Sequence, residues 1–175
     1  PATVTDWVLV SLRTSPAGAP LFQRAALLHD DGRVEFVDDG ACFSLDANQS
    51  YYIVVEHRSH LIAMSHVGVT PVNGVITYDF RNQQSYIDDP FLSGSFSGQK
   101  EVIPGTFAMY AGNGDQATGN AATDITSSDY NVWLNTGTQD RVYNINDYNM
   151  DGDRVSSDNN LWLENTGVTT SVPRN

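Results

Sequence analysis

The stretch of twelve residues at positions 147–158, D-Y-N-M-D-G-D-R-V-S-S-D, constrains this chain more than any other part of it. Oxygen-bearing side chains stand at positions 1, 3, 5, 7 and 12 of the stretch, and position 6 is Gly152, which permits a sharp turn. This spacing wraps a loop around a hard cation such as Ca²⁺, which takes about six to eight oxygen ligands. The predicted ligands are the side chains of Asp147, Asn149, Asp151 and Asp158 and the backbone carbonyl of Asp153. An Asp- and Asn-rich surface turn is the simpler alternative.

A degenerate copy of the segment that ends this loop lies 29 residues upstream, because residues 127–134 align with residues 156–163 and both soon reach Asn-Thr-Gly. Repetition at a fixed offset marks a duplicated supersecondary unit. Each unit is predicted as a loop followed by a short helix with an apolar Trp and Leu stripe. The paired serines and the Asp stand where N-caps are preferred, and Gly137 and Gly167 are expected to end the helices.

The loop of the first unit is longer and poorer than that of the second. It offers oxygens from Asn113, Asp115, Asp124 and Asp129. These side chains converge on a second Ca²⁺ only if the intervening residues 117–122 bulge out as an insertion. The alternative is a vestigial loop that keeps the packing of its helix and has lost the ion.

The charge of the chain limits its partners and favours a bound cation. The net charge is −12 and Lys100 is the only lysine, which argues against nucleic acid or an anionic membrane as a partner, since both require a basic surface. Nine acidic residues lie between Asp115 and Glu164, against two arginines. Because such crowded charges repel one another, we expect the stability of this region to depend on bound ions. No apolar run is long enough to predict a membrane-spanning helix.

Residues 1–105 are predicted to form an antiparallel, Ig-like β-sandwich, and residues 106–175 a small helical calcium module packed against it. Short β-prone segments recur at the spacing typical of a sandwich, and Asp30-Asp31-Gly32 indicates a tight hairpin. The predicted strands are 7–12, 21–28, 34–37, 42–45, 51–56, 61–64, 75–80 and 106–110. Residues 81–109 carry no clear pattern before the last of these strands.

The tandem loop-helix units resemble dockerin-type calcium modules. More specifically, S-S-D-Y-N-V-W-L-N-T-G followed by D-Y-N-M-D-G-D-R-V-S-S-D-N-N-L-W-L resembles the C-terminal part of secreted surface proteins of Bacteroidota-type bacteria. Residues 6–13 and 51–61 are similar to the β-domain that precedes such repeats. The resemblance implies export to the cell surface and no assigned catalytic residues. The long first loop departs from the dockerin pattern, and the paired recognition positions that would imply a cohesin partner are missing.

Other candidate chemistry is weaker. His57, His60 and His66 raise the possibility of zinc, but two histidines three apart on a continuous strand point to opposite faces and cannot share an ion. A polar network in which Arg58 bridges to a carboxylate is the favoured interpretation. The single cysteine, Cys42, permits no intrachain disulfide and is expected to be a buried apolar residue. Neither a G-x-S-x-G motif nor a recognisable acid–base carboxylate pair is present, so we expect no enzyme activity.

These observations favour a non-catalytic, extracellular structural or adhesive protein, in its most specific form the self-assembling subunit of a surface filament. Residues 1–5 are β-prone and would complete the sheet of a neighbouring copy, or of another surface protein, by strand addition; pairing within the same chain is the alternative. The alternative function is a carbohydrate-binding module of a secreted enzyme system. Its stacking aromatics would come from Tyr51, Tyr52, Tyr78, Tyr86 and Phe91.

Overall fold

The structure is a computed structural model that describes residues 2–37, 44–88, 98–116, 123–136, 141 and 143–174. The described strands are β1 (Val4–Arg13), β2 (Phe22–His29), β3 (Val34–Phe36), β4 (Tyr52–His57), β5 (His60–Met64), β6 (Lys100–Ile103) and β7 (Thr106–Ala108). The described helices are α1 (Ser127–Thr136) and α2 (Ser156–Asn165). Neither of these helices has the length and apolar character needed to cross a bilayer.

Five strands form one antiparallel sheet in the order β3-β2-β1-β4-β5. The central strand β1 pairs with β2 on one side and with β4 on the other, so that Val10 lies opposite both Arg24 and Val55. The predicted hairpin joins β2 to β3, and Gly32 adopts a φ of 82° in its turn, a conformation that favours glycine. The prediction of a mainly antiparallel β fold is confirmed, whereas the Ig-like topology stays a prediction.

Apolar side chains cover both faces of this sheet, because alternate residues of a strand point to opposite sides. On one face, Val8, Ala26 and Val55 form a buried cluster against which Phe80 and Met109 pack. On the other face, Val54, Ile62 and Met64 form a second cluster that includes Val172 from the C-terminal segment. The sheet is therefore the middle layer of the molecule, and residues from the predicted calcium module contribute directly to its core.

The strand predicted at 75–80 is wrong, since no regular strand forms there. Val72 and Val75 instead make an isolated bridge around a tight turn in which Asn73 and Gly74 have φ values of 53° and 78°. The chain then turns again at Asp79, whose carbonyl accepts from the amides of both Asn82 and Gln83. Turn-forming Asn, Gly and Asp residues prevail here over the β propensity of the valine and isoleucine side chains.

A second, two-stranded sheet pairs β6 with β7, and its first strand was not predicted. Gly105, with a φ of 77°, lies in the connection between the two strands. The strand predicted at 42–45 falls partly on residues outside the described ranges, as does the environment of Cys42. Its two described residues, 44 and 45, are not in a strand.

The two helices lie where the repeat predicts them, and their aromatic side chains join them. The rings of Tyr130 and Trp162 stack with 4.8 Å between centroids, and Trp162 Nε1 donates to the carbonyl of Thr126 over 2.9 Å. Gly167 follows α2 with a φ of 88°, as expected of a helix-ending glycine. Gly137, the corresponding residue after α1, lies outside the described residues. The division of the chain at residue 105 stays a prediction.

Candidate calcium sites

The loop at 147–158 is curled by hydrogen bonds between its own side chains and its backbone. The amide of Gly152 donates to Asp147 Oδ2 (3.0 Å), that of Asp151 to Asn149 Oδ1 (3.0 Å), and that of Asp153 to Asp151 Oδ1 (2.8 Å). Met150 and Gly152 have positive φ values of 61° and 89°. These turns direct the side chains at loop positions 1, 3 and 5 back over the loop, which is the arrangement that the spacing predicts.

Asp147 carries the least satisfied carboxylate of this loop. The residue is 2% exposed, and its Oδ1 is buried and has no hydrogen-bond partner. Burial raises the pKa of Asp147, and the nearby Asp158 and Asp151 carboxylates raise it further, against the opposing effect of the Gly152 amide. A buried carboxylate oxygen without a partner is costly in free energy, and either protonation or a bound cation offsets that cost.

Asp158 closes the loop and also caps α2. Its Oδ1 accepts from the amides of Tyr148 (2.8 Å) and Asn149 (3.3 Å), and its Oδ2 accepts from the amide of Val155 (2.8 Å). Val155 is the N-cap residue, so the paired serines lie inside the first turn and Asp158 is at its third position. The prediction that the N-cap is Ser156, Ser157 or Asp158 is therefore wrong, because the N-cap lies one to three residues earlier. A carboxylate accepts about four hydrogen bonds or ligand contacts, so Asp158 keeps limited capacity for an ion.

The first loop repeats this closure. Asp129 Oδ1 accepts from the amides of Gly114 (2.8 Å) and Asp115 (3.1 Å), and its Oδ2 accepts from the amide of Thr126 (2.7 Å). Each bond has its counterpart at Asp158. These bonds place residues 113–115 beside Asp129, so the structure brings Asn113, Asp115 and Asp129 together. Asn113 and Asp129 are both fully buried. Asn113 precedes Asp147 by 34 residues and Asp129 precedes Asp158 by 29, so the first loop contains five additional residues, and residues 117–122, within this loop, lie outside the described ranges.

Two carboxylates of the first loop, Asp115 and Asp129, lie close enough to interact. Burial raises the pKa of Asp129 to about 6, and the Asp115 carboxylate adds to this increase while the amides of Thr126 and Asp115 oppose it. Asp115 Oδ1 is buried and has no hydrogen-bond partner. Asp124 is placed differently, because its backbone forms an isolated bridge with Thr169. Among the described residues, no hydrogen bond joins its side chain to Asn113, Asp115 or Asp129.

Within the part of the chain that the structure describes, no group of three or more His, Cys, Asp or Glu side chains is placed to hold a metal ion by itself. The predicted ligand set also includes Asn side chains and a backbone carbonyl, as calcium loops generally do. Asp153 agrees with this assignment, since its carboxylate accepts from the amide of Arg141 (2.8 Å) and its predicted contribution is the backbone oxygen. A calcium site in either loop therefore stays a prediction that depends on mixed ligands, and Asp147 is the carboxylate with a buried oxygen left for it.

Tyr148 joins the two loops, and the sequence pattern did not identify it. Its ring is 1% exposed, and its hydroxyl lies 3.3 Å from Asn146 Oδ1 and 3.5 Å from the carbonyl of Asp129. A Cβ atom at Gly114 would collide with this hydroxyl, so position 114 requires glycine. Since the Tyr148 amide also binds Asp158, Tyr148 couples the positions of the two loops.

The turn between β4 and β5 carries a buried polar network centred on Asp6. Asp6 Oδ2 accepts from His57 Nε2 (3.0 Å) and Arg58 Nε (2.9 Å), and Asp6 Oδ1 accepts from the hydroxyl of Tyr143 (2.8 Å) and the amide of Trp7 (2.7 Å). Burial alone would raise the pKa of Asp6, but the bonds from His57, the Trp7 amide and Tyr143 hold it well below its usual range. The predicted bridge from Arg58 to a carboxylate is present.

The expectation that His57 and His60 point to opposite faces is wrong, because the chain reverses between them. The two residues are paired across the hairpin, and their Nδ1 atoms are 2.7 Å apart. The amide of Ser59 donates to His57 Nδ1 (3.3 Å), so this nitrogen is an acceptor, and His57 carries its proton on Nε2 toward Asp6. His60 Nδ1 must then donate. The contact is a directed hydrogen bond that needs no metal.

This network also connects the sheet to the second loop. Arg58 Nη2 lies 3.9 Å from Asp147 Oδ2, and the guanidinium carbon of Arg58 is 4.3 Å above the centre of the Tyr143 ring. Ser59, His57 and Asp6 form a hydrogen-bonded series like that of a serine hydrolase, but they are only 0%, 3% and 2% exposed. A substrate cannot reach the Ser59 hydroxyl in this arrangement.

No family model, curated protein or solved structure matches the chain. The resemblance to dockerin-type modules and to bacterial surface proteins therefore stays a prediction that rests on the residues quoted for it. The geometry of the two loops and of the Asp6 network is the remaining basis for a functional proposal.

The aromatic residues considered for glycan stacking are largely engaged in packing. Tyr51 is 3% exposed. Tyr52 and Tyr86 pack edge to face on the Val54 cluster with 6.4 Å between their centroids, and Tyr78 packs edge to face against Phe80 with 4.9 Å between centroids. Phe91 lies outside the described residues. The packing of the four described rings does not favour a sugar-binding platform.

His60 predicts a pH dependence of stability. Burial holds the pKa of His60 well below 6.5, and the electrostatic effects of the neighbouring His57 and Arg58 lower it further. Because the unfolded chain then binds the proton first, the stability contributed by neutral His60 falls as the pH drops below about 6.5. Asp129 has the opposite effect in the same range when no ion is bound, so the measurement must compare two variants.

The comparison is between the wild type and His60→Asn, whose amide nitrogen takes the place of Nδ1. In urea unfolding from pH 7.5 to 5, we expect the wild type to lose up to about 1.4 kcal/mol per pH unit relative to the variant. The contribution of Asp129 is common to both proteins and cancels. Parallel curves of stability against pH would contradict the assignment of His60 as a neutral residue.

Proposed function

We propose that this protein is a non-catalytic, calcium-stabilised structural or adhesive module of the bacterial surface. The observation that carries the proposal is the buried, unpaired Oδ1 of Asp147, in a loop whose backbone already has the turns that its calcium-type spacing predicts. A bound cation would neutralise the charge of this oxygen and offset the cost of its burial. Among the described residues, the cation recorded beside this carboxylate is Arg58, whose guanidinium is 3.9 Å from the other oxygen of the same carboxylate and is shared with Asp6.

In the second loop, Asp147, Asn149 and Asp151 would hold Ca²⁺ through side-chain oxygens, Asp153 through its carbonyl, and Asp158 through its remaining acceptor capacity. In the first loop, Asn113, Asp115 and Asp129 would hold the ion, with Asp124 at the position that corresponds to Asp153. The second loop has more carboxylates and should bind the ion more tightly, because calcium affinity rises with ligand charge. Bound Ca²⁺ would neutralise the acidic loops and fix them against the sheet.

The direct test is the number of calcium ions bound by the folded chain. Native mass spectrometry is expected to show two Ca²⁺ per wild-type chain at millimolar calcium and one in Asp151→Ala, because this change removes a charged ligand from the second loop only. Asp46→Ala is the matched control, since Asp46 is also an exposed aspartate that accepts an amide hydrogen bond two residues ahead. Binding of no calcium by the wild type would overturn the proposal.

Self-association by strand addition is the narrower form of the proposal. In this structure the N-terminal segment is paired within its own sheet: Val4 lies opposite His29, and Thr3 exchanges backbone and side-chain bonds with Asp30. A donor strand built from residues 1–5 would therefore have to leave its own sheet first. The outer strands of the described sheet are β3 and β5. Isolated bridges at His60 and Ser65 partly cover the β5 side, so the short strand β3 is the edge that a neighbour's strand would join.

A further inference from the structure

Gln116 lies where the first loop passes the turn between β4 and β5. Its side-chain nitrogen Nε2 donates to the carbonyls of His57 and His60, each over 2.7 Å. Its Oε1 accepts from Arg174 Nη2 over 3.5 Å. The two carbonyls flank the Arg58-Ser59 turn on either side, so both amide protons of one side chain bind the two ends of that turn.

The backbone of the same loop holds the turn at a second point. The amides of Gly112 and Asn113 both donate to the carbonyl of Ser59, over 3.0 and 3.1 Å. Asp115 lies between these two attachments, and its own amide donates to Asp129 Oδ1. The position of the Asp115 carboxylate relative to Asp129 is thus fixed from Asn113 on one side and from Gln116 on the other.

Such attachment matters because the loop sequence is otherwise flexible. Residues 111–115 read A-G-N-G-D, and two glycines in five residues give an isolated segment unusually many backbone conformations. The turn, in contrast, is a fixed support: Ser59 is completely buried, and His57 is held by Asp6, Ser59 and His60. Through its hydrogen bonds to this turn, Gln116 restricts the conformations of the loop before any ion binds.

We propose that Gln116 is a positioning residue for Ca²⁺ at the first loop. The inference rests on the proposed function. It adds to that function a residue that binds the turn between β4 and β5, which holds the loop, and that is not itself a ligand of the ion. Removing its two hydrogen bonds leaves Asn113, Asp115 and Asp129 in the sequence but frees the segment that carries them. The affinity of the first loop then falls, because part of the binding free energy is used to order the loop.

The test is Gln116→Met, which keeps the length of the side chain and removes its amide. Calcium titration calorimetry on the full chain is expected to show the dissociation constant of one ion increased by about tenfold or more and that of the other unchanged. Gln49→Met is the matched control, because Gln49 is an exposed glutamine that donates to the carbonyl of Ser50 away from both loops. This control is expected to leave both dissociation constants at their wild-type values.

Two further variants identify the ion concerned. In an Asp115→Ala background, which removes the ion of the first loop, Gln116→Met should change calcium binding no further; in Asp151→Ala it should retain its full effect. If Gln116 has only a structural role, Gln116→Met will lower the melting temperature in EDTA and leave both dissociation constants unchanged. That result overturns this inference and leaves the proposed function intact. A wild type that binds one ion, lost in Asp151→Ala, also overturns the inference. A wild type that binds none overturns the proposed function as well.

Discussion

Chelation of calcium by EDTA is expected to lower the melting temperature of this protein by roughly 10–15 °C for each occupied site. An ion present at a thousandfold excess over its dissociation constant stabilises the native state by about 4 kcal/mol, and about 1 kcal/mol shifts the melting temperature of a chain of this size by about 2–4 °C. The physical source is the removal of repulsion among buried carboxylates: burial and neighbouring carboxylates raise the pKa values of both Asp147 and Asp129. Differential scanning calorimetry in EDTA, and after addition of excess Ca²⁺, measures the effect.

The controls separate ligation from ionic strength. Addition of Ca²⁺ after EDTA should restore the original melting temperature, and an equal ionic strength of sodium chloride should not, since these carboxylates are buried and poorly screened. Asp151→Ala should remove the contribution of the second loop, whereas Asp46→Ala should retain the whole response. Identical melting curves in EDTA and in calcium would contradict the claim that bound Ca²⁺ stabilises the loops.

The sequence predicted best what depends on local spacing. The hairpin at Asp31-Gly32 and the helices after the two loops are set by residues close to one another in the chain, and the structure has them where the pattern predicts. The loop at 147–158 belongs to the same class, because its internal bonds join residues two to ten positions apart. Its ligands could therefore be proposed from sequence alone.

What the sequence did not predict depends on distant partners. Asp6 gave no sign of its role, since its partners His57, Arg58 and Tyr143 are 51, 52 and 137 residues away. Gln116 likewise binds carbonyls 56 and 59 residues away, which no local pattern encodes. The reversal between His57 and His60 is a related case, because the alternation rule assumed a continuous strand where a hairpin turn lies. A buried His–Asp–Arg set becomes visible only when the strands are paired.

Asp6→Asn is expected to destabilise the protein by about 3–5 kcal/mol, because it breaks a buried ion pair and leaves one charge uncompensated. The asparagine oxygen can still accept from Trp7 and Tyr143, but its amide nitrogen then faces the donors of His57 and Arg58. Both of these side chains are poorly solvated: His57 is 2% and Arg58 16% exposed at the side chain. Urea unfolding at pH 7.5 in excess calcium measures the loss.

Asp79→Asn makes the same chemical change at a solvent-exposed pair and should cost less than about 1 kcal/mol. Asp79 binds Arg81 through two hydrogen bonds of 2.9 Å, one to each carboxylate oxygen, whereas Arg58 binds Asp6 Oδ2 with two nitrogens at the same distance. The contact distances of the two pairs are therefore equal, and burial is their largest difference. If burial sets the cost at Asp6, then replacing Arg58 by Met as well should recover part of it, since the uncompensated charge is gone. Equal losses at Asp6 and Asp79, or no recovery in the double variant, would contradict the central role of Asp6 in joining the sheet to the second loop.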